Sequence, residues 1–250
     1  MKTLKFVLLL GVLCTILLTT QSCKDECADV VCQNGGICVD GTCDCSEWYT
    51  GNNCEEFDSE KIQSLLDGGK TPIELFNDNA PLESLYGKMY AGGLIFYLNE
   101  TDGTGLVAAT IDQSFGAKWG CLGIDIQGLN NANILNPPNP ETEDGAKVGD
   151  GKSNTDTILD LASGCNEEGI AAKLCRDLGE DWFLPSRGEL TLMYTNLHKN
   201  GHGGFSAAHG YWNSTEFDNN RSWTQYFGED NRFSFDVKQN DNRVRAARAF

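Results

Sequence analysis

Six of the eleven cysteines lie within residues 27–54, and this cluster constrains the fold of the chain more than any other feature. They are Cys27, Cys32, Cys38, Cys43, Cys45 and Cys54. A segment this short cannot bury enough apolar surface to fold alone, so covalent cross-links must supply its stability. Six cysteines allow fifteen connectivities. A zinc knuckle is the alternative, but the segment contains no histidine.

The spacing of these cysteines resembles the epidermal-growth-factor-like (EGF-like) module. The resemblance extends to Asn34-Gly35-Gly36 and to Tyr49-Thr50-Gly51 before the last cysteine. It implies three disulfides: Cys27–Cys38, Cys32–Cys43 and Cys45–Cys54. Some relatives bind calcium, and Asp25 and Glu26 fit part of that pattern. The third loop, residues 39–42, is too short and lacks the required aromatic residue, so we expect a rigid spacer without calcium.

The first 22 residues are typical of a secretion signal peptide. Lys2 and Lys5 precede an apolar run, residues 6–18, that is too short to span a membrane, and small polar residues lead to Cys23. The end resembles a Bacteroidetes-type lipoprotein box, which implies that Cys23 is diacylated and becomes a membrane anchor. Residues 24–26 resemble the signal that directs such lipoproteins to the outer face of the outer membrane. Cleavage after Ser22 without lipidation is the alternative.

The net charge of −17 argues against nucleic acid as a partner. Removal of residues 1–22, which carry Lys2, Lys5 and no acid, lowers it to −19. Binding to phosphates requires clustered basic residues, and an acidic surface repels them. The abundant cysteines indicate an oxidising compartment.

Residues 55–86 are interpreted as a linker that docks in part on the main domain, residues 87–250. The apolar run at residues 92–98 and the next at residues 106–109 flank a tight turn and predict a hairpin. A long loop rich in Asn, Gly and Pro follows at residues 125–152. Helices are expected at residues 154–162 and 167–178, and strands at residues 211–212, 222–227, 232–237 and 243–250. This order predicts an α+β fold with an antiparallel sheet and two to three helices.

Within this domain, residues 181–190 specify a buried strand that turns into a helix. Pro185 ends the apolar run Trp182-Phe183-Leu184. Ser186 and Glu189 form a capping box, in which each side chain bonds the backbone N–H of the other residue. Apolar residues at helical spacing follow.

The ordered motifs of residues 87–250 resemble the DUF1566 family of bacterial surface domains, found at the C-terminus of the Legionella collagen-like adhesin. They include Trp182, Pro185, Ser186, Glu189, Trp212, Ser214, Thr215, Glu216, Arg245 and Arg248. The resemblance implies a C-type-lectin-like fold, distantly akin to formylglycine-generating domains. In the collagen-like adhesin the domain is associated with sulfated polysaccharide, which the acidic surface here disfavours.

These motif residues are interpreted as scaffold, and we expect Arg245 and Arg248 to pair with buried carboxylates such as Glu189 or Glu216. The Trp-Asn-Asp calcium motif of C-type lectins is not reproduced, because Ser214 follows Trp212-Asn213. Ligand contacts are expected from the neighbouring polar loops or from the loop near Asn130. The candidates are Asp218, Asn219, Asn220, Arg221, Asp230, Asn231 and Arg232.

Three other features have weaker functional interpretations. Residues 146–153 approach a phosphate-binding P-loop but begin with Ala146 and follow no strand. His198, His202 and His209 lie among glycines and are expected in a solvated loop, without metal. Cys121 and Cys165 could pair, Cys165 with Cys175 is the alternative, and Cys175 lies on an apolar helical face that predicts a buried thiol.

The sequence therefore predicts a lipid-anchored surface protein that presents a non-catalytic lectin-like domain on an EGF-like stalk. Adhesion, or capture of an extracellular glycan or protein, is the expected role, with no cofactor and no catalytic residue. A sulfatase-modifying or hydrolytic surface enzyme is the first alternative, and a structural outer-membrane assembly subunit is the second.

Overall fold

The computed structural model of the protein describes residues 26–126, 146–160, 165 and 167–250. The chain divides into two compact units, one up to Phe57 and one from Asp58 to Phe250. The expected signal peptide, the lipidation site Cys23, Asp25 of the calcium pattern and the loop near Asn130 lie outside the described residues.

The first unit consists of two small antiparallel strand pairs held by disulfides. Its strands are β1 (Ile37–Val39), β2 (Thr42–Asp44), β3 (Tyr49–Thr50) and β4 (Glu56–Phe57). Its disulfides are Cys27–Cys38, Cys32–Cys43 and Cys45–Cys54, the pairs that the EGF-like resemblance implies. Trp48 and Cys54 are buried hydrophobic residues of this unit. A core this small depends on its cross-links.

The segment expected to be a linker contributes three short helices to the second unit. They are α1 (Ser59–Asp67), α2 (Pro72–Asn77) and α3 (Leu82–Leu85). Thr71 and Glu74 form a capping box at the start of α2, and Pro72 occupies the first helical position. Each helix buries an apolar side, which includes Ile62, Leu66, Leu75 and Leu85.

Two five-stranded sheets form the rest of the second unit. The first has the strand order β5-β6-β7-β14-β9 and the second β12-β11-β10-β13-β8. The strands before the long loop are β5 (Met89–Tyr90), β6 (Gly93–Leu98), β7 (Gly105–Ala108) and β8 (Ser114–Ala117). Those after it are β9 (Trp182–Phe183), β10 (Gly210–Glu216), β11 (Arg221–Tyr226), β12 (Phe233–Val237), β13 (Asn242–Val244) and β14 (Ala247–Ala249). The pairs are antiparallel except for β10 with β13.

Three further helices lie between these strands. They are α4 (Asp150–Leu159), α5 (Ala171–Arg176) and α6 (Arg187–Leu192). A π-helical turn and a 3-10 turn extend α6 to Asn200, where Gly201 adopts φ 76° and ends it. The fold is α+β with antiparallel sheets; the finer prediction of a C-type-lectin-like fold stays a prediction.

The expected strand at residues 243–250 is wrong, because two strands of different sheets occupy this stretch. β13 pairs with β8 and β10, whereas β14 pairs with β7 and β9. The crossing lies at Arg245 and Ala246, where Ala109 N donates to Ala246 O at 2.9 Å. Local sequence gives no sign of the change, because β13 and β14 are both strands and only two residues separate them.

Two buried apolar clusters accompany the sheets. One contains Trp119, Cys121, Leu184 and Trp212 and packs around α4 and α5. The other contains Phe96, Phe183, Leu190, Tyr211 and Phe227 and packs around α6. The apolar run before Pro185 therefore divides its side chains between both clusters, as alternation along a strand requires.

Candidate functional site

The Ser186–Glu189 turn is buried and joins the starts of α6 and α4. Glu189 Oε2 accepts from Ser186 N at 2.7 Å, and Ser186 Oγ accepts from Glu189 N at 3.2 Å, which closes the predicted capping box. Glu189 Oε1 accepts from Gly149 N at 2.8 Å and from Gly151 N at 3.4 Å. Burial raises the pKa of Glu189 to about 7, although the backbone donors favour the charged form. This carboxyl group holds two helix starts together.

The same geometry argues against phosphate binding by the P-loop-like residues 146–153. In a P-loop, the N–H groups at a helix start bind the phosphate. Here Glu189 already accepts from those groups, and a side chain at Gly151 would place its Cβ 2.1 Å from Glu189 Oε2. The chain's own carboxyl group thus fills the anion position.

The polar residues of β10 are buried and link the sheet to the helices. Trp212 Nε1 donates to Ala117 O at 2.7 Å. Ser214 N donates to Pro185 O at 2.8 Å, and Ser214 Oγ accepts from Asn154 Nδ2 at 3.0 Å. Ser214 thus connects β10 to Pro185, directly before the capping box, and to Asn154 in α4. These motif residues therefore form an internal scaffold.

Glu216, at the end of β10, forms an ion pair with Lys238, and neither side chain is exposed. Lys238 also donates to Ile124 O at 2.8 Å, and Glu216 Oε2 accepts from Ile126 N at 3.1 Å. Burial raises the pKa of Glu216 and lowers that of Lys238, because each charge loses its hydration. The pair fixes residues 124–126 against the sheet.

The expectation that the last arginines pair with buried carboxylates is confirmed for Arg245, with a different partner, and is wrong for Arg248. Arg245 pairs with Asp112, not with Glu189 or Glu216. Arg248 donates to Ala91 O at 3.2 Å and lies near the ring of Trp182. Backbone donors and Lys238 already satisfy the two glutamates, whereas Asp112 is brought to Arg245 by the loop between β7 and β8.

The seven predicted ligand residues do not form one site. Residues 218–221 lie at the turn between β10 and β11, and residues 230–232 lie at the turn between β11 and β12. Successive turns of an antiparallel meander lie at opposite ends of the shared strand. The six residues of β11 separate them by roughly 17–20 Å.

Many polar groups of these two turns are bonded within the chain. Asp218 Oδ1 accepts from Asn220 N at 2.9 Å and Arg221 N at 2.8 Å, and its other oxygen pairs with the Arg221 guanidinium. At the other turn, Asn231 Oδ1 accepts from Gln225 Nε2 at 2.7 Å. Both turns therefore use their polar side chains to hold their own shape.

A different group of residues builds a cavity around Asp112. The Asp112 side chain is 2% exposed and pairs with Arg243 Nη1 at 2.7 Å and with Arg245 Nη2 at 2.7 Å. Tyr211 Oη donates to Asp112 Oδ2 at 3.2 Å. Arg245 also donates to the carbonyl of Gly203 at 2.8 Å, which ties the glycine loop to the site.

The rim of this cavity is apolar and exposed. Its volume is about 420 Å³, and its lining includes Ile111, Phe115 and Arg243. Ile111 is 71% exposed and Phe115 76% exposed. The Arg243 guanidinium lies 5.0 Å from the Phe115 ring centroid. Among the described residues, Arg243 Nε is buried without a hydrogen-bond partner.

The cavity therefore offers a cation and an aromatic face at one concave place. Asp112 carries one negative charge against two from the arginines, so the local balance is positive in a strongly acidic protein. Sequence reasoning missed Asp112 and Phe115, because they precede the arginines by more than 125 positions. The spacing of Arg243 and Arg245, two positions apart in the segment predicted as the last strand, was the available signal.

Two other cavities are less suited to binding. One of about 580 Å³ lies in the first unit among exposed loop residues, including Asp29, Val31 and Asn53. One of about 260 Å³ lies beside Leu106 and Val148. Neither is lined by a charged side chain that is buried, so specific polar recognition is better supported at Asp112.

The histidines and the third cysteine of the main domain support no catalytic site. His198 stacks on Tyr194 at 5.7 Å, and His209 Nδ1 bonds Ser206 Oγ at 3.1 Å. Within the described ranges, no three metal-ligating side chains converge. Cys121 pairs with Cys165, and Cys175 is a buried thiol whose pKa burial raises, which disfavours a nucleophilic thiolate.

Helices long and apolar enough to cross a bilayer are not found among the residues that the structure describes. No family model matches the sequence, and no curated protein matches it. Among solved structures, the chain is similar to a fimbrial protein from Bacteroides ovatus ATCC 8483, with 18% identity and a TM-score of 0.42. The match covers 72% of this chain and 42% of that chain, so the chain spans less than half of the fimbrial protein. At this TM-score the similarity carries no argument about function.

Proposed function

We propose that this protein is a cell-surface lipoprotein whose second unit captures an extracellular glycan, without catalysis, in the cavity at Asp112. The observation that carries the proposal is the exposed Phe115 ring beside Arg243 at a concave site. Adhesion is the role that such capture serves.

The chemistry of the cavity suits a sugar ring. The C–H face of a sugar packs against an exposed aromatic ring, and its hydroxyl or carboxyl oxygens accept from a guanidinium. Phe115 supplies the ring, and the partly exposed Arg243 guanidinium uses Nη1 for Asp112 and presents Nη2 as a further donor. A volume of about 420 Å³ lies within the usual range of small-ligand sites.

Surface location and family remain inferences from the sequence. The lipoprotein box at Cys23 supports an anchor, and the EGF-like module is then a spacer between the anchor and the binding domain. Membership in DUF1566 is supported by the structural role of its motif residues, since Ser186, Glu189 and Ser214 are buried. Ser186 N donates to Glu189, and Ser214 N donates to the carbonyl of Pro185, the residue before Ser186. An exposed rim on such a buried scaffold fits a binding domain.

A glycan array probed with the purified full-length protein tests this function. We expect Phe115→Ala to weaken the binding of any captured glycan about five- to tenfold, the loss of one aromatic contact. Leu178→Ala is a matched control, because Leu178 is also exposed, at 49%, but lies after α5 and not in the cavity. Thermal unfolding should be unchanged in both variants.

Equal glycan affinity of the Phe115→Ala variant and the wild type would contradict the site. Failure to bind any glycan would contradict glycan capture. If binding to cells is lost after protease treatment but not after glycosidase treatment, the ligand is a protein and the proposal is replaced.

A further inference from the structure

β12 is an outer strand of its sheet, and part of its outer edge is open. Tyr226 N donates to Arg232 O at 2.9 Å and Lys238 N to Asn220 O at 2.9 Å, so the even-numbered residues of β12 face β11. The N–H and C=O groups of Phe233 and Phe235 therefore point away from the sheet. In the described chain, no strand pairs with this edge.

The C-terminal end of the same edge is closed by local bonds. Val237 N donates to the Asp236 side chain at 2.8 Å, and Val237 O accepts from Asn240 N at 2.8 Å. Such local bonds keep an edge from pairing along its whole length. The rest of the edge is a window at Phe233 and Phe235, in which Phe235 O accepts one long bond, from Ser234 Oγ at 3.4 Å, and keeps a second acceptor position. The exposed ring of Phe235 lies on this window.

We propose that a second copy of this chain occupies the window, with the two β12 strands antiparallel about a two-fold axis at Ser234. This register places Phe233 opposite Phe235 of the other copy, twice, with their outward backbone groups in bonding position. It also places Arg232 opposite Asp236, twice. The strand is therefore complementary to itself in both apolar contacts and charge.

Arg232 and Asp236, the two charged residues that would meet in the dimer, form no ion pair within the described residues. Arg232 lies over the Tyr226 ring at 4.7 Å and, among the described residues, pairs with no carboxylate. Asp236 accepts from the neutral amides of Asn240 and Asn242, at 2.6 and 3.0 Å, and from no cation in that part of the chain. An antiparallel partner supplies each with an opposite charge.

The pairing closes on itself and is expected to be weak. A two-fold contact uses the same strand of both copies, so it yields dimers and not filaments. Five residues from each strand bury much less than the roughly 1,600 Å² of a standard interface. Association should therefore depend on concentration.

The inference is independent of the glycan cavity. That cavity lies beside β13 and β8, at the opposite end of the same sheet from β12.

A cysteine at position 234 tests the register directly. The two copies of residue 234 face each other as a non-bonded pair, about 4.5 Å apart at Cα. We expect Ser234→Cys in the full-length protein to form a covalent dimer under mild oxidation, at least about tenfold faster than Ser153→Cys, a matched exposed serine on α4. Cys175 does not interfere, because it is buried. Equal rates would sink the proposal.

Charge exchange provides a second test. In sedimentation, wild type should dimerise with concentration, and Arg232→Glu or Asp236→Lys alone should weaken dimerisation about tenfold, because two like-charged pairs then meet. An equimolar mixture of the two variants should recover association, since the mixed dimer restores both opposite-charge pairs. Circular dichroism checks folding. A monomer at all concentrations, or a dimer indifferent to Arg232→Glu, would falsify the proposal.

Discussion

The same capping motif occurs at Thr71–Glu74 and at Ser186–Glu189, and burial separates the behaviour of the two glutamates. Glu74 is at the surface, and its bonds from Thr71 lower its pKa. Glu189 is buried, and its pKa is raised to about 7. A sequence motif therefore predicts the hydrogen bonds of a carboxyl group, whereas only the fold decides how it titrates.

This difference predicts opposite effects on stability. Because the pKa of Glu189 is higher in the folded state, the folded protein holds this proton more tightly than the unfolded chain does. The resulting contribution to the free energy of unfolding is present below the unfolded pKa and is lost as pH rises through about 7. From about pH 4 to about pH 8 this loss is on the order of 3 kcal/mol in the free energy of unfolding. Glu189→Gln should remove that slope in urea unfolding at several pH values.

Glu74→Gln is the matched control. Its lowered pKa contributes stability above the unfolded pKa, which is lost as pH falls through the folded pKa. The substitution should change the acid end of the profile and leave the neutral range as in wild type. If Glu189→Gln has the same pH profile as wild type, the carboxyl group does not titrate with folding.

Residue partners were predictable only where they are local. The capping box spans four residues, Ser186 to Glu189, and was predicted in full. Arg243 and Arg245 meet an aspartate 131 and 133 positions earlier, and no local pattern distinguishes Asp112 from other acids. The cavity was missed for the same reason.

At the scale of elements, hairpins and helix starts were predicted better than the sheets to which they belong. The hairpin of β6 and β7 follows from two apolar runs and a turn. The two loops chosen for ligand binding are each real turns, but a meander places them at opposite ends of β11. Composition identifies a loop, whereas topology decides its neighbours.

The Cys121–Cys165 disulfide ties the segment before the long loop to the region between α4 and α5. It closes a loop with a sequence separation of 44. By the chain-entropy relation, such a cross-link stabilises the fold by about 4 kcal/mol. We expect Cys121→Ala with Cys165→Ala to lower the free energy of unfolding by roughly that amount in denaturant titration.

The matched control is Cys175→Ala, which removes a buried thiol and no cross-link. Its smaller cost should come from packing alone. If the double variant is no less stable than this control, the cross-link does not contribute as proposed. In peptide mapping of the oxidised protein, an alkylating reagent should modify Cys175 only after the protein has been unfolded.

At the scale of the whole molecule, the two units differ in what stabilises them. The first has three disulfides and few buried apolar side chains, whereas the second has two apolar clusters. The disulfide pairs of the first unit were predictable because its cysteine spacing resembles that of a known module. The sequence predicts a linker that docks in part on the main domain, whereas residues 58–86 belong to the second unit. A weakly amphipathic helix does not indicate how much of it is covered.

We therefore expect residues 58–250 to fold without the first unit. A fragment of that range should give the near-ultraviolet circular dichroism and cooperative thermal transition of an intact core. A fragment of residues 26–57 should lose its structure when reduced, because cross-links supply most of its stability. Loss of the cooperative transition in the larger fragment would show that the units do not fold independently.

The passage of residues 242–249 through both sheets has a consequence for biosynthesis. β13 lies between β10 and β8, and β14 lies between β7 and β9, so each sheet is divided until these residues are in place. Most of their partners leave the ribosome far earlier, and contacts of such high sequence separation form slowly. Neither sheet can close during translation of the residues before 242, so the second unit completes its folding only after residues 242–249 have left the ribosome.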